Sequence, residues 1–185
     1  MPILDSDLSK ARQMFEVNLF GVVAVVQGFS PLLIRSKGTI INIGSANGFA
    51  PIPWIGLYNA SKAAANHLTD ILRQELAPFG VKVILVISGV VKTNFFNNET
   101  GQTLPENSIY LPAKATIEAV LSGASLVKYQ ADRGEYAKTV VANALRSNPK
   151  FRQWVGGFVT VMWTAGNFFT TGLWVRIFPM SDRLC

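Results

Sequence analysis

Cysteine is nearly absent. The one thiol, Cys185, is the last residue, so no disulfide can close within the chain, which fits a reducing compartment. Cys185 reads as a frayed terminal thiol rather than a nucleophile. Histidine is as scarce: His67 stands alone, and without a second histidine or clustered cysteines no metal site is expected. His67 is instead read as a helix-surface or packing residue. Charged side chains make up 15% of the 185 residues, well below the ~25% of an ordinary soluble domain. The 17 Lys and Arg against 11 Asp and Glu give a net charge of +6, yet they never form a run. That argues against nucleic acid and leaves anionic headgroups or phosphorylated substrates as partners of a basic surface. Met1-Pro2-Ile3-Leu4-Asp5 lacks the basic stretch and apolar run of a signal peptide. The ending Arg183-Leu184-Cys185 is not a prenylation box. Internal repeats and low-complexity tracts are missing too.

What is present is apolar: 49% of residues, with a mean hydropathy of +0.28, enough for one domain with a sizeable core. Asp5 or Ser6 is expected to cap a helix from about Leu8 to Leu33, with Phe15, Asn18, Leu19, Val22, Val23 and Val26 on one stripe. Pro31 should disturb its last turn. Thr39 to Ser45 reads as a buried strand, and 46–56 as a loop holding Pro51 and Pro53. Tyr58 to Ala77 has helical periodicity and stops at Pro78 and Gly80; Val81 to Ile87 is a second strand, closed by Ser88-Gly89. Strands this continuously apolar around a long helix predict an α/β fold, a doubly wound parallel sheet covered on both faces. Ligands bind outside the carboxyl ends of such strands, so Ser45 and Ser88-Gly89 should face one crevice. Beyond Thr93 the pattern predicts a mobile loop over 94–106, then helices over 112–129 and 133–145.

Tyr58 and Lys62 are four positions apart, on one face of the predicted helix. A free tyrosine has a pKa near ~10, too high for a poised acid or base, and a neighbouring ammonium lowers it. The pair therefore makes a general acid/base for moving a proton at an alcohol or carbonyl oxygen. Ser45 can hydrogen-bond the same oxygen. Taken alone, Tyr-x-x-x-Lys is a weak signal; the serine ending the preceding strand gives it context. Phe49 and Trp54, in the loop before Tyr58, are candidates to line an apolar substrate pocket, or equally to cover the core.

Gly44-Ser45, Tyr58-Asn59-Ala60-Ser61-Lys62, Ser88-Gly89-Val90-Val91-Lys92-Thr93 and Phe15-Glu16-Val17-Asn18-Leu19-Phe20-Gly21 stand in an order that resembles the short-chain dehydrogenase/reductase family, over about residues 3–96. The resemblance implies a Rossmann-like fold and an NADP(H)- or NAD(H)-dependent oxidoreductase, with NADP(H) the favoured cofactor. It implies roles as well. Tyr58 protonates the substrate oxygen, Lys62 binds the nicotinamide ribose, Ser45 orients the substrate, and Asn18 holds a proton-relay water. Gly89, Val91 and Thr93 contact the nicotinamide end, and Ser88 stands where the family usually has proline. Subunits pairing through the Asn18 and Tyr58 helices are implied as a homodimer. The family's opening strand, glycine-rich turn and helix have no counterpart in this sequence, so the expectation is an incomplete or spliced chain, with a non-catalytic truncated product as the alternative.

From Gln153 to Val175 there is no charge, and Trp154 and Trp174 lie near the two ends. The run is long enough to span a bilayer, yet it carries glycines, threonines and Asn167, so a span, a shallow hairpin, an interfacial helix or a substrate-covering segment are all open. With this tail, the pattern resembles fungal 1-acyldihydroxyacetone-phosphate reductases. That implies a lipid-like ketone as substrate and a place on the cytosolic face of the endoplasmic reticulum or a lipid droplet, the alternative being cytoplasmic. The expected organisation is 1–100 as the catalytic part, 101–150 as substrate-side loop and helices, and 151–185 as a hydrophobic, membrane-associated tail.

Overall fold

The computed structural model describes residues 1–95 and 102–168. Three parallel strands form one sheet in the order β1 (Thr39–Ser45), β2 (Lys82–Ser88), β3 (Arg152–Val155). Thr39 to Ser45 is the strand the β-branched run predicts. Pairing sets Ser45 level with Ser88, and Ser88 level with Val155. The carboxyl ends therefore finish together.

Side chains alternate across the pleat, and each face has its own cover. On one face Ile40 and Val83 pack against Val26, Leu33 and Ile34 of α2 (Gly21–Ser36) and against Leu72 and Leu76 of α3 (Gly56–Leu76). On the other, Ile84 and Val86 pack against Val140, Tyr136 and Ala144 of α5 (Arg133–Ala144). The central strand is the best covered, with Val83 to Ile87 essentially out of water. Each such side chain contributes about 1.5–3 kcal/mol of burial. The α5 face of β1 is different: Ile41 and Ile43 are 38% and 52% exposed.

The first helix runs further than the sequence predicts. α1 (Leu8–Phe15) is capped by Asp7, whose carboxylate accepts the Ser9 N–H at 2.7 Å, rather than by Asp5 or Ser6. A π-turn over Glu16–Phe20, in which the Gly21 N–H reaches back five residues to the Glu16 carbonyl, joins it to α2. α2 passes straight through Pro31 to Ser36. Proline removes the donor for the Gln27 carbonyl, and the Ser30 hydroxyl replaces it at 2.9 Å.

One expectation further along needs correction. The predicted helix over 112–129 is α4 (Lys114–Leu121) followed by a separate 3-10 segment, Ala124–Tyr129. Gly123, at φ +66°, breaks the run. The charge-free stretch beginning at Gln153, for which the sequence leaves a span, a shallow hairpin, an interfacial helix and a substrate-covering segment all open, holds two kinds of element. It opens inside β3, turns at Gly156-Gly157, and continues as α6 (Val159–Phe168). Val155 is in the core, and Met162 and Ala165 pack on Ala46, Ala50, Leu85 and Ile87. The boundary expected at 151 falls just before β3. The rest of that stretch, 169–175, and the centre of the loop predicted over 94–106 lie outside the described residues.

Candidate active site

Tyr58 sits in the first turn of α3, at the carboxyl end of the sheet, with Lys62 one turn on. Both are half-buried. The Tyr58 ring lies 5.9 Å from that of Phe95. Burial pulls the pKa of Lys62 below its ordinary 10.5, because an ammonium loses hydration there. Among the described residues no carboxylate or other acceptor pairs with this ammonium. A half-buried cation without a partner suits a ligand that brings hydroxyl oxygens to it.

Ser45 ends β1 and is 8% exposed. Its Oγ accepts the Asn47 N–H at 3.2 Å, which leaves the hydroxyl hydrogen free to donate. Its backbone is held by Asn66, whose Oδ1 accepts the Ser45 N–H at 3.3 Å and whose Nδ2 donates to the Ser45 carbonyl at 3.0 Å. Asn18 lies within the π-turn. Its Nδ2 donates to Ser61 Oγ at 3.0 Å, and that hydroxyl donates to the Tyr58 carbonyl at 2.8 Å. Asn18 is therefore coupled to α3 between Tyr58 and Lys62, through a serine with no solvent exposure.

The segment after β2 is clamped from two sides. The Gly89 N–H donates to the Val155 carbonyl at 2.8 Å, Val90 exchanges hydrogen bonds with Gly157, and Val91 bridges to Ala131. A β-carbon on Gly89 would lie 2.2 Å from the Gly157 carbonyl oxygen. Glycine at 89 is thus required by packing, apart from any ligand. Thr93 is exposed, and its Oγ1 accepts the Phe95 N–H at 3.3 Å. Ser88, in the place of the expected proline, shares a 2.5 Å hydrogen bond with the Tyr136 hydroxyl of α5.

Phe49 and Trp54 are not brought into one wall. Phe49 packs with Trp154, centroids 5.2 Å apart, on the cluster under α6. Trp54 has φ +72° and meets Tyr110 edge-on at 5.4 Å, on the cluster of Leu104, Ala113 and Ile117. His67 is exposed on α3. Among the described residues no three His, Cys, Asp or Glu side chains gather as metal ligands do, and Cys185 lies outside those residues.

The family model for short chain dehydrogenases matches residues 1–104, more than half of the chain. The chain belongs to the short-chain dehydrogenase family. Short-chain dehydrogenase srdE of Neurospora crassa is 40% identical over 188 residues, covering all of this chain and 63% of its own length. Short-chain dehydrogenase virD of Hypocrea virens is 38% identical, again covering 100% of this chain and 63% of its own. This short-chain dehydrogenase chain therefore spans less than two thirds of the curated relatives it matches. Among solved structures, a short-chain dehydrogenase from Streptomyces avermitilis superposes with a TM-score of 0.77 at 23% identity, over 99% of this chain and 66% of that one. A short chain dehydrogenase from Burkholderia cenocepacia in complex with NADP gives 0.64 at 25% identity, over 96% and 63%. The Rossmann-like α/β expectation is met in the parallel sheet and its helices.

Asn66 and Tyr136 were not singled out from the sequence. Asn66 carries a signal that could have found it: Tyr58, Lys62 and Asn66 are spaced four and four, one polar row on one helix face. Tyr136 has none, because its partner Ser88 is distant in sequence.

Proposed function

We propose that this chain carries the proton-transfer half of an NADP(H)-dependent carbonyl reductase or alcohol dehydrogenase that acts on a lipid-like ketone. The observation that carries the reading is that Tyr58 and Lys62, half-buried and one turn apart, lie in the opening turns of α3 at the carboxyl edge of the sheet, the edge where Ser45 ends β1. The Ser45 hydroxyl holds the substrate oxygen, and the Tyr58 phenol delivers a proton to it. The Lys62 ammonium favours the phenolate left behind and takes the ribose hydroxyls. Bound nicotinamide supplies the hydride. The residues present fit the nicotinamide and ribose end; residues for the pyrophosphate are not among those described. NADP(H) is preferred in this proposal on the example of the NADP-bound relative.

A lipid-like substrate, such as a 1-acyldihydroxyacetone phosphate, is supported by the aromatic content of the segments that follow β1 and β3 and lead into α4: Phe49 and Phe158 pack on one apolar cluster, Trp54 and Tyr110 on another. α6 leaves Val161, Trp163 and Phe168 exposed beside a basic overall charge, which supports interfacial membrane contact through 153–175 at the endoplasmic reticulum or a lipid droplet. Along the Asn18 helix, Val17, Phe20, Val25, Phe29 and Leu32 are exposed and suit a homodimer face. The same helix, Leu8–Ser36, is also long and apolar enough to cross a bilayer by length and composition. One row of it, Val26, Leu33 and Ile34, packs on Ile40 and Val83, while no residue of α2 is fully buried.

The test is NADPH oxidation with a long-chain ketone. Tyr58→Phe is expected to lower kcat by about 10²–10⁴; retained activity in Tyr58→Phe sinks the mechanism. Failure of the chain to bind NADPH favours instead a non-catalytic protein that pairs with another subunit or a membrane.

A further inference from the structure

The carboxamide of Asn66 is 3% exposed and spends both of its faces on one residue, the Ser45 backbone. A carboxamide offers a donor and an acceptor in one plane as a peptide does. Two glycines make room for it. A β-carbon on Gly44 would lie 2.1 Å from Asn66 Oδ1, and one on Gly48 would lie 2.4 Å from Asn66 Nδ2 and 2.9 Å from the backbone of Lys62 and Ala63. The end of β1, the turn after it and the catalytic helix are thereby brought into direct contact around one amide. A second bridge lies one turn further along the same helix and strand: Asn42 Nδ2 donates to Thr69 Oγ1 at 3.1 Å.

We propose that Asn66 is a positioning residue that fixes the Ser45 hydroxyl relative to Tyr58 and Lys62. The three helix positions share one rigid element, and Asn66 is its one side-chain link to both polar groups of the Ser45 peptide backbone among the described residues. Sliding α3 along β1 would break both halves of that link and drive Asn66 into Gly44 or Gly48. The spacing of the two groups that share the substrate oxygen is therefore set by Asn66. The Asn42–Thr69 bridge supports the same packing but touches no reacting group.

The inference rests on the reductase reading, and the experiment separates the two. Full-length chain is assayed with NADPH and 2-undecanone, and amide exchange at Ser45 is followed in parallel. Asn66→Asp keeps the shape, but its carboxylate faces the Ser45 carbonyl. It is expected to lower kcat by about 100-fold, the scale of a 1 Å misplacement, with KM for NADPH unchanged. Lowering the pH protonates that carboxyl, which again donates and accepts, so the loss relative to wild type shrinks. In a Ser45→Ala background the same change should cost less than about twofold, because residues acting as one unit are not additive. Thr69→Val, which cuts only the neighbouring bridge, should leave kcat within about twofold. A full multiplicative loss in Ser45→Ala overturns the inference, since it makes Asn66 merely structural. A wild-type chain without turnover speaks against the reductase reading alone. Exchange then decides the positioning question: Asn66→Leu should speed exchange of the Ser45 amide by at least about tenfold, the scale of one lost hydrogen bond, over Thr69→Val. Equal rates in those two variants overturn it in either case.

Discussion

Lys62 shows how one side chain serves chemistry at the expense of stability. Its folded pKa lies below the ordinary 10.5 because of burial. In the interval between the two values the unfolded chain binds the proton that the folded chain has lost, so stability rises with pH there. The burial cost is fully present below the lowered pKa and gone above the ordinary one. Lys62→Met should therefore raise the urea midpoint at neutral pH while abolishing turnover, and the gain should fade as the pH approaches the ordinary lysine value. Glycines divide in a similar way. A β-carbon at Gly157 would sit 1.4 Å from the Tyr129 carbonyl oxygen, whereas one at Gly28 in α2 meets nothing within 4 Å. Gly157→Ala should cost roughly 3 kcal/mol or more and yield little soluble protein. Gly28→Ala should gain about 0.5–1 kcal/mol from helix propensity, read as a rise in Tm. The Tyr58, Lys62 and Ser45 positions were legible in sequence because helix period and strand ending are local. Asn66 as a clamp was not, since its partner is set by how α3 lies on β1.

At the scale of elements, β1, β2 and α3 could be read directly, because continuous apolar runs and their glycine and proline stops are strong local signals. β3 could not. It is only Arg152–Val155, it opens a stretch whose hydropathy looks like a tail, and its strand character comes from pairing with Leu85 to Ser88. The disturbance expected at Pro31 does not arise, because the Ser30 hydroxyl repairs what the proline breaks and α2 runs on to Ser36. Beyond its ladder and the burial of Val155, β3 also has an ionic anchor. Asp70 of α3 is 7% exposed and accepts a forked contact from the Arg152 guanidinium, with Arg73 at 3.3 Å on its other side. The carboxylate holds the Arg152 pKa above its ordinary value. Arg152→Leu leaves Asp70 with Arg73 alone. The expected loss is about 1–3 kcal/mol, measured by denaturation, with kcat little changed because the pair lies at the opposite end of the strand from Ser45 and Tyr58.

For the whole molecule, the low charge content read from composition now has an address. Part of the exposed apolar surface lies on the outer row of α2 and on Ile41 and Ile43 of β1, a strand with no partner on its outer edge among the described residues. An apolar edge of this kind promotes association. Ile43→Lys should reduce light scattering at high protein concentration and leave Tm nearly unchanged, as the side chain is already half in water. Composition could announce this surface, but only the packing of α3 and α5 shows which strand bears it.

The parallel register carries a consequence for the order of assembly. β2 bonds to β1 across a connection filled by α3, and to β3 across a much longer stretch that includes α4 and α5. Closing the longer loop costs more chain entropy and slows folding. On a ribosome, β1, α3 and β2 emerge together and can pair before Arg152 is synthesised. The late arrival of β3 would leave Val86 and Ile84 open on one side, which makes that interval the chain's period of greatest need for a chaperone.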